Sequence, residues 1–210
     1  MGTVFAEIDD ELAGWIRSQQ LFFVGTAPSG DEGHVNISPK GDLRTFAILG
    51  PLKLAYVDLF GSGIETVAHL KQNGRIVVMF CAFTGPPRVL RLHGKGRVVE
   101  QHEPEFAELS AGFALTDEVT PSVRSIIVID IERIADSCGY VVPKMEPQGE
   151  RGALYQTAAG WIRKRGPSAI PDYCDVNNGE SIDGFPGLTP FGAKLTDDQK
   201  ERNASAGRRL

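Results

Sequence analysis

At 210 residues, 41% apolar and 23% charged, the chain is long enough for one domain with a full core, or for a domain and a lid. A formal net charge of −5 speaks against a nucleic-acid-binding protein, which carries a basic excess on one face. No apolar run approaches the ~18 residues of a membrane-spanning helix, and Met1 to Asp10 lacks the basic start and apolar core of an export signal. A cytoplasmic protein with no membrane partner is expected.

The first predicted element is a helix over residues 7–19, where Ile8, Leu12, Trp15 and Ile16 recur at helical spacing behind the acids Glu7, Asp9, Asp10 and Glu11. Leu21 to Thr26 reads as a buried strand, Pro28 to Gly33 as a loop, and Val35 to Ser38 as a returning strand. Further strands are expected at Phe46 to Leu49, Leu54 to Leu59, Arg75 to Phe83, Val89 to Glu100 and Ser125 to Arg133. Turns such as Gly50-Pro51 and Gly85-Pro86-Pro87 separate them, and only two helices intervene, at Glu65 to Gln72 and from Pro104 to about Phe113. Short connections between so many strands predict a mainly β domain, an antiparallel barrel with peripheral helices, over residues 1–144.

From Met145 onward, proline, glycine and polar residues interrupt short apolar groups. Residues 145–210 therefore read as an irregular extension covering the barrel or a partner subunit, because Trp161, Ile162 and Ile170 need burial. Ser181 to Leu188 is expected to be a structured loop near such an interface or over a cofactor mouth, or else a simple surface wrap. The last stretch, Thr196 to Leu210, is charged and helix-permissive.

Chemistry concentrates in three places. A strand breaks at Gly61-Ser62-Gly63 just before a helix, where unpaired N–H groups with Ser62 and Thr66 suit a phosphate. The same break could be a plain turn with Ser62 as the cap. Lys40, behind the rigid Pro39, ends a strand on which Asn36 and Ser38 share a face and could meet the edge of a planar heterocycle. On the strand from Val89, alternation gathers Arg91, His93, Lys95 and Arg97 on one face, either as an anion site or as a solvated surface.

Other chemistries lack their patterns. The cysteines Cys81, Cys138 and Cys174 have no C-x-x-C spacing, which suits a reducing compartment, and His34, His69, His93 and His102 show no metal-site spacing. No metal is expected. There is no G-x-S-x-G elbow, Walker A loop or dinucleotide G-x-G-x-x-G.

Three segments in order carry a family resemblance: Gly33 to Gly41 with His-Val-Asn-Ile-Ser-Pro-Lys between, Ala55 to Arg75 through Gly61-Ser62-Gly63-Ile64-Glu65-Thr66, and Arg88 to Gly96. Over roughly residues 8–140 the chain resembles the pyridoxamine 5′-phosphate oxidase-like, FMN-binding split-barrel family. The resemblance implies a Greek-key split barrel and a homodimer with two FMN molecules at its interface. It implies Asn36 and Ser38 at the isoalloxazine, and Lys40, Ser62, Thr66 and Arg91 at the ribityl phosphate, with Tyr56 and Asp58 nearby.

The chain departs from the true oxidase of that family in lacking its arginine-and-lysine strand motif, its Ser-Arg-Lys phosphate loop and its C-terminal tryptophan-glycine-glycine segment. Gly160-Trp161-Ile162-Arg163 does not replace the last of these. An FMN-dependent oxidoreductase acting on an unidentified small molecule is the reading that remains. Its catalytic residues are not named by the sequence, since redox chemistry belongs to the cofactor. The competing readings are a non-catalytic flavin- or haem-binding protein and a reductase using the deazaflavin F420.

Overall fold

Apolar residues build the strands, at every second position in Leu21–Thr26 and as continuous buried runs in Lys53–Leu59 and the first half of Val123–Ser137, and the computed structural model, which describes residues 2–192, folds them into one antiparallel sheet with helices outside. The segment Thr196 to Leu210 lies outside the described residues. The strands are β1 (Val4–Phe5), β2 (Leu21–Thr26), β3 (Asn36–Gly41), β4 (Phe46–Gly50), β5 (Lys53–Leu59), β6 (Arg75–Cys81), β7 (Val89–Glu100) and β8 (Val123–Ser137). Their order in the sheet is β3-β2-β6-β7-β8-β5-β4, with β1 added on β8. The helices are α1 (Asp10–Arg17), α2 (Glu65–Asn73), α3 (Phe106–Ala111), α4 (Ala153–Arg165) and α5 (Ala169–Asn177).

The sheet is curled, as contacts across it show. Phe22 on β2 lies 5.1 Å from Phe46 on β4 and 5.6 Å from Tyr56 on β5, ring centre to ring centre, although these strands stand near opposite ends of the sheet order. Phe80 on β6 completes the cluster at 5.6 Å from both Phe22 and Phe46. Each fully buried phenylalanine contributes on the order of 1.5–3 kcal/mol. The two terminal strands, β3 and β4, do not pair with one another, so the wall is split there. This is the expected antiparallel split barrel.

Local signals set the element ends. Asp9 caps α1 by accepting the Leu12 N–H at 2.8 Å, and Leu12, Ala13 and Ile16 turn inward. Gly74, at φ 68°, ends α2 in the left-handed conformation and lets β6 begin at the next residue. Between β3 and β4, Asp42 takes φ 60° and its carboxylate accepts from Arg44 Nε and Nη2, at 2.7 and 2.6 Å, and from the Tyr155 hydroxyl. That hydroxyl ties α4 to the split edge.

The C-terminal part is more regular than its composition suggests. Where proline and glycine point to irregular backbone, the chain forms α4 and α5, which bury Tyr155, Ala158, Ala169, Ile170 and Cys174. Their apolar residues close on Phe60, whose ring lies 5.7 Å from Trp161 and 5.6 Å from Tyr173. Beyond α5 the chain returns over α2: Lys71 donates to the Gly187 carbonyl, and Glu100 accepts the Thr189 N–H at 2.8 Å. Among the described residues no helix is long and apolar enough to cross a membrane.

Candidate functional site

Pro39 has no N–H to offer a ladder and is tolerated because β3 is an edge strand paired only with β2. Around it, alternation turns Asn36, Ser38 and Lys40 to the half-buried side. Lys40 Nζ reaches Asp58 Oδ1 at 3.1 Å, and Asp58 is 1% exposed on β5. The second oxygen of Asp58 accepts Arg124 Nε at 2.7 Å. A buried carboxylate is thus shared by two cations from β3 and β8.

Arg124 does a second thing. Its Nη1 and Nη2 donate to the carbonyls of Gly61 and Gly63 at 3.2 and 2.8 Å, which fixes the loop before α2. Among the described residues, no side chain caps the N-terminus of α2. Ser62, an alternative cap by sequence, is exposed and does not serve as one. The Asp58–Arg124 pair therefore aims an open helix N-terminus, where backbone N–H groups and the macrodipole favour negative charge.

These pieces enclose a cavity of about 430 Å³ whose wall includes Ser38, Lys40, Gly61, Gly63, Thr66 and Arg124. Glu65 is the carboxylate among the lining residues, and its Oε1 faces the Ile182 N–H at 3.4 Å. Burial pushes the Asp58 carboxyl up, but Arg124 and Lys40 more than offset this and hold it below the usual carboxylate range. Burial also opposes charge on Arg124, and Asp58 outweighs it, raising the guanidinium further. Both groups stay ionised.

Of the residues singled out in the sequence, Ser38, Lys40 and Thr66 line this cavity, and Asp58 stands directly behind Lys40. Asn36 lies behind Ser38 and Thr66, hydrogen-bonded to both. Tyr56 is fully buried in the barrel, with Lys40 Nζ 5.8 Å from its ring centre and its hydroxyl without a hydrogen-bond partner among the described residues. Burial pushes that phenol well up. Ser62 and Arg91 are not among the lining residues, and Arg91 donates to Ser137 Oγ at 3.1 Å on β8.

Arg124 is the residue that sequence reasoning missed. Its signal was a lone arginine one position before the expected strand Ser125 to Arg133, a charge attached to a long apolar run. The Ser181–Leu188 loop is structured: Asp183 accepts the His34 N–H at 2.8 Å and pairs with its ring, and Ile182 meets Glu65 at the start of α2.

A split antiparallel barrel with a cation-lined cavity at a helix N-terminus defines the class. The chain belongs to the pyridoxamine 5′-phosphate oxidase family, whose model matches residues 8–138. It is 37% identical over 201 residues to the pyridoxamine 5′-phosphate oxidase family protein ustO of Aspergillus flavus, covering 90% of this chain and 78% of that protein. Among solved structures, Group A Streptococcus HupZ aligns with 60% of this chain and 91% of its own, at 20% identity and a TM-score of 0.46. An FMN-binding protein of Syntrophomonas wolfei aligns with 55% of this chain and 75% of its own, at 18% identity and a TM-score of 0.42.

Asp58→Asn leaves Arg124 and Lys40 facing a neutral amide, and removing one partner of a buried ion pair costs about 3–5 kcal/mol. Because the folded Asp58 pKa lies below the unfolded value of about 3.9, its pairing stabilises fully above that value and is lost as pH falls through the folded one. Urea unfolding should therefore show a wide gap between wild type and variant at neutral pH, narrowing below about pH 4. A gap of the same size at both would assign the loss to packing rather than charge.

Proposed function

We propose that the cavity takes the phosphate of FMN and that the protein is an FMN-dependent oxidoreductase of cytoplasmic location acting on a small molecule. The observation that carries this reading is the uncapped start of α2 beside Lys40 and Thr66, with room left at Gly61, where a Cβ would meet nothing within 4 Å, whereas a Cβ on Gly63 would meet the Glu65 carboxylate. A phosphate monoester suits such a cradle, because it accepts backbone N–H groups, a hydroxyl and an ammonium at once. Lys40, held by Asp58, supplies the cation; Thr66 and the α2 N–H groups supply neutral donors. Ser38 lies on the same wall, toward the body of the ligand. When bound, FMN supplies hydride and electron transfer. Family membership supports the assignment, and three free cysteines suit a reducing compartment.

We also propose a homodimer. Ile37 on the edge strand is 69% exposed opposite Gly25, and two residues along on the same face Pro39, Phe23 and Met79 stand in register with one another. A flat apolar edge of this kind needs cover. A second copy of the chain supplies it and brings the flavin between subunits. Light scattering of the FMN-loaded protein at micromolar concentration should give the dimer mass; a monomer fully loaded with FMN would reject the shared site.

The purified protein should bind FMN, turn yellow, bleach under a hydride donor and recover in air. A Soret band, or selective binding of F420 to a colourless protein, would replace the flavin assignment. Lys40→Ala should weaken FMN binding by tenfold or more, since a charge-assisted hydrogen bond is worth about 1.5–3 kcal/mol. An unchanged dissociation constant in fluorescence titration would remove Lys40 from the site.

A further inference from the structure

Behind the cavity wall lies a hydrogen-bonded chain whose direction can be counted. Asn36 Nδ2 carries two protons, and both are spent on threonine oxygens: Thr26 Oγ1 at 3.2 Å and Thr66 Oγ1 at 3.0 Å. Its carbonyl oxygen accepts the Ser38 hydroxyl at 3.0 Å. Thr26 is itself held, 3.0 Å from Nδ1 of the fully buried His69 on α2. The Asn36 amide is therefore pinned on three sides and cannot turn to serve a ligand.

Each hydroxyl has one proton, so the count fixes what faces the cavity. Thr66 Oγ1 accepts from Asn36, which leaves its own proton to donate outward. Ser38 has given its proton to Asn36, which leaves it lone pairs. Two hydroxyls on one wall thus present opposite polarity.

We propose that Asn36 is a positioning residue that sets this polarity, so that Thr66 donates to a phosphate monoester and Ser38 accepts from a hydroxyl of the attached polyol chain. The inference rests on the reading of the cavity as an FMN phosphate site, and it assigns recognition to a side chain that touches no ligand. It also distinguishes the ligand chemically: a phosphate next to a hydroxylated chain satisfies both groups, whereas a bare anion leaves Ser38 unmatched.

The test is a double-mutant cycle read by fluorescence titration with FMN and with riboflavin, which lacks the phosphate. Asn36→Leu frees the Thr66 hydroxyl to rotate, and Thr66→Val removes it at constant shape. Each single variant should lower FMN affinity by about tenfold and riboflavin affinity much less. The preference for FMN over riboflavin should fall no further in the double variant than in Thr66→Val alone, because Asn36 reaches the phosphate only through Thr66, while its effect through Ser38 acts on the polyol chain that both ligands carry. Additive losses of that preference, or equal losses for FMN and riboflavin in Asn36→Leu, would overturn the proposal by making Asn36 a merely structural residue.

Should Asn36→Leu not fold, Asn36→Asp carries the same test. It keeps the shape but has no amide protons, so it draws the Thr66 proton inward and should lower the preference for FMN over riboflavin more in the wild-type background than in Thr66→Val, where only the added charge acts; an equal drop in both backgrounds overturns the proposal. A wild-type protein that binds FMN and riboflavin equally would reject the phosphate reading itself, and this inference with it. A wild-type preference that survives Asn36→Leu intact would reject only the role of Asn36.

Discussion

A carboxylate that is 1% exposed cannot remain ionised without partners, and the arrangement of the site follows from how Asp58 finds them. It faces Lys40 from the edge strand and Arg124 from the longest strand, and it thereby joins β3, β5 and β8 across the split in the barrel. Such a buried set is weak evidence for stability, because hydrophobic residues of equal volume often serve as well. Its value lies in position. Lys40 is held at the cavity wall, and Arg124 is left with guanidinium nitrogens that bind the Gly61 and Gly63 carbonyls and so orient α2.

The C-terminal residues reinforce that orientation. Asn178, fully buried at the end of α5, donates to the same Gly61 carbonyl at 2.8 Å that Arg124 uses. Leu154 of α4 joins the cavity wall, and Phe60, just before the glycine loop, is covered by Trp161 and Tyr173. The returning chain beyond α5 then fastens to α2 through Lys71 and to β7 through Glu100. The loop ahead of α2 is thus gripped from the barrel and from the extension, which preorganises its N–H groups before any ligand arrives.

Much of the fold was legible because β5 and β8 contain unbroken apolar runs, and because β2 and β7 obey a period of two, with Phe22, Val24, Leu90 and Leu92 facing inward as alternation requires. The shared face of Asn36, Ser38 and Lys40 was legible for the same reason. What alternation cannot show is partnership across the sheet. Asp58 and Arg124 are 66 residues apart, and only the antiparallel register of β5 on β8 brings them together. Nor could it tell which hydroxyl near the glycine break turns inward: Thr66 is buried within the first turn of α2, while Ser62 stays exposed. The helices α4 and α5 were hidden because each buries only a few residues: Ala158, Ile170 and Cys174 against Phe60, and Tyr155 against Asp42.

The central claim is that the Asp58-centred pair of cations shapes a phosphate cradle at the start of α2. A crystal structure of the protein with FMN tests it most directly. The account predicts the phosphate within hydrogen-bonding distance of Lys40 Nζ, Thr66 Oγ1 and the first N–H groups of α2, with Asp58 still bridging Lys40 and Arg124. A phosphate bound instead at Arg91 on β7, with the cavity at α2 filled only by water, would contradict it.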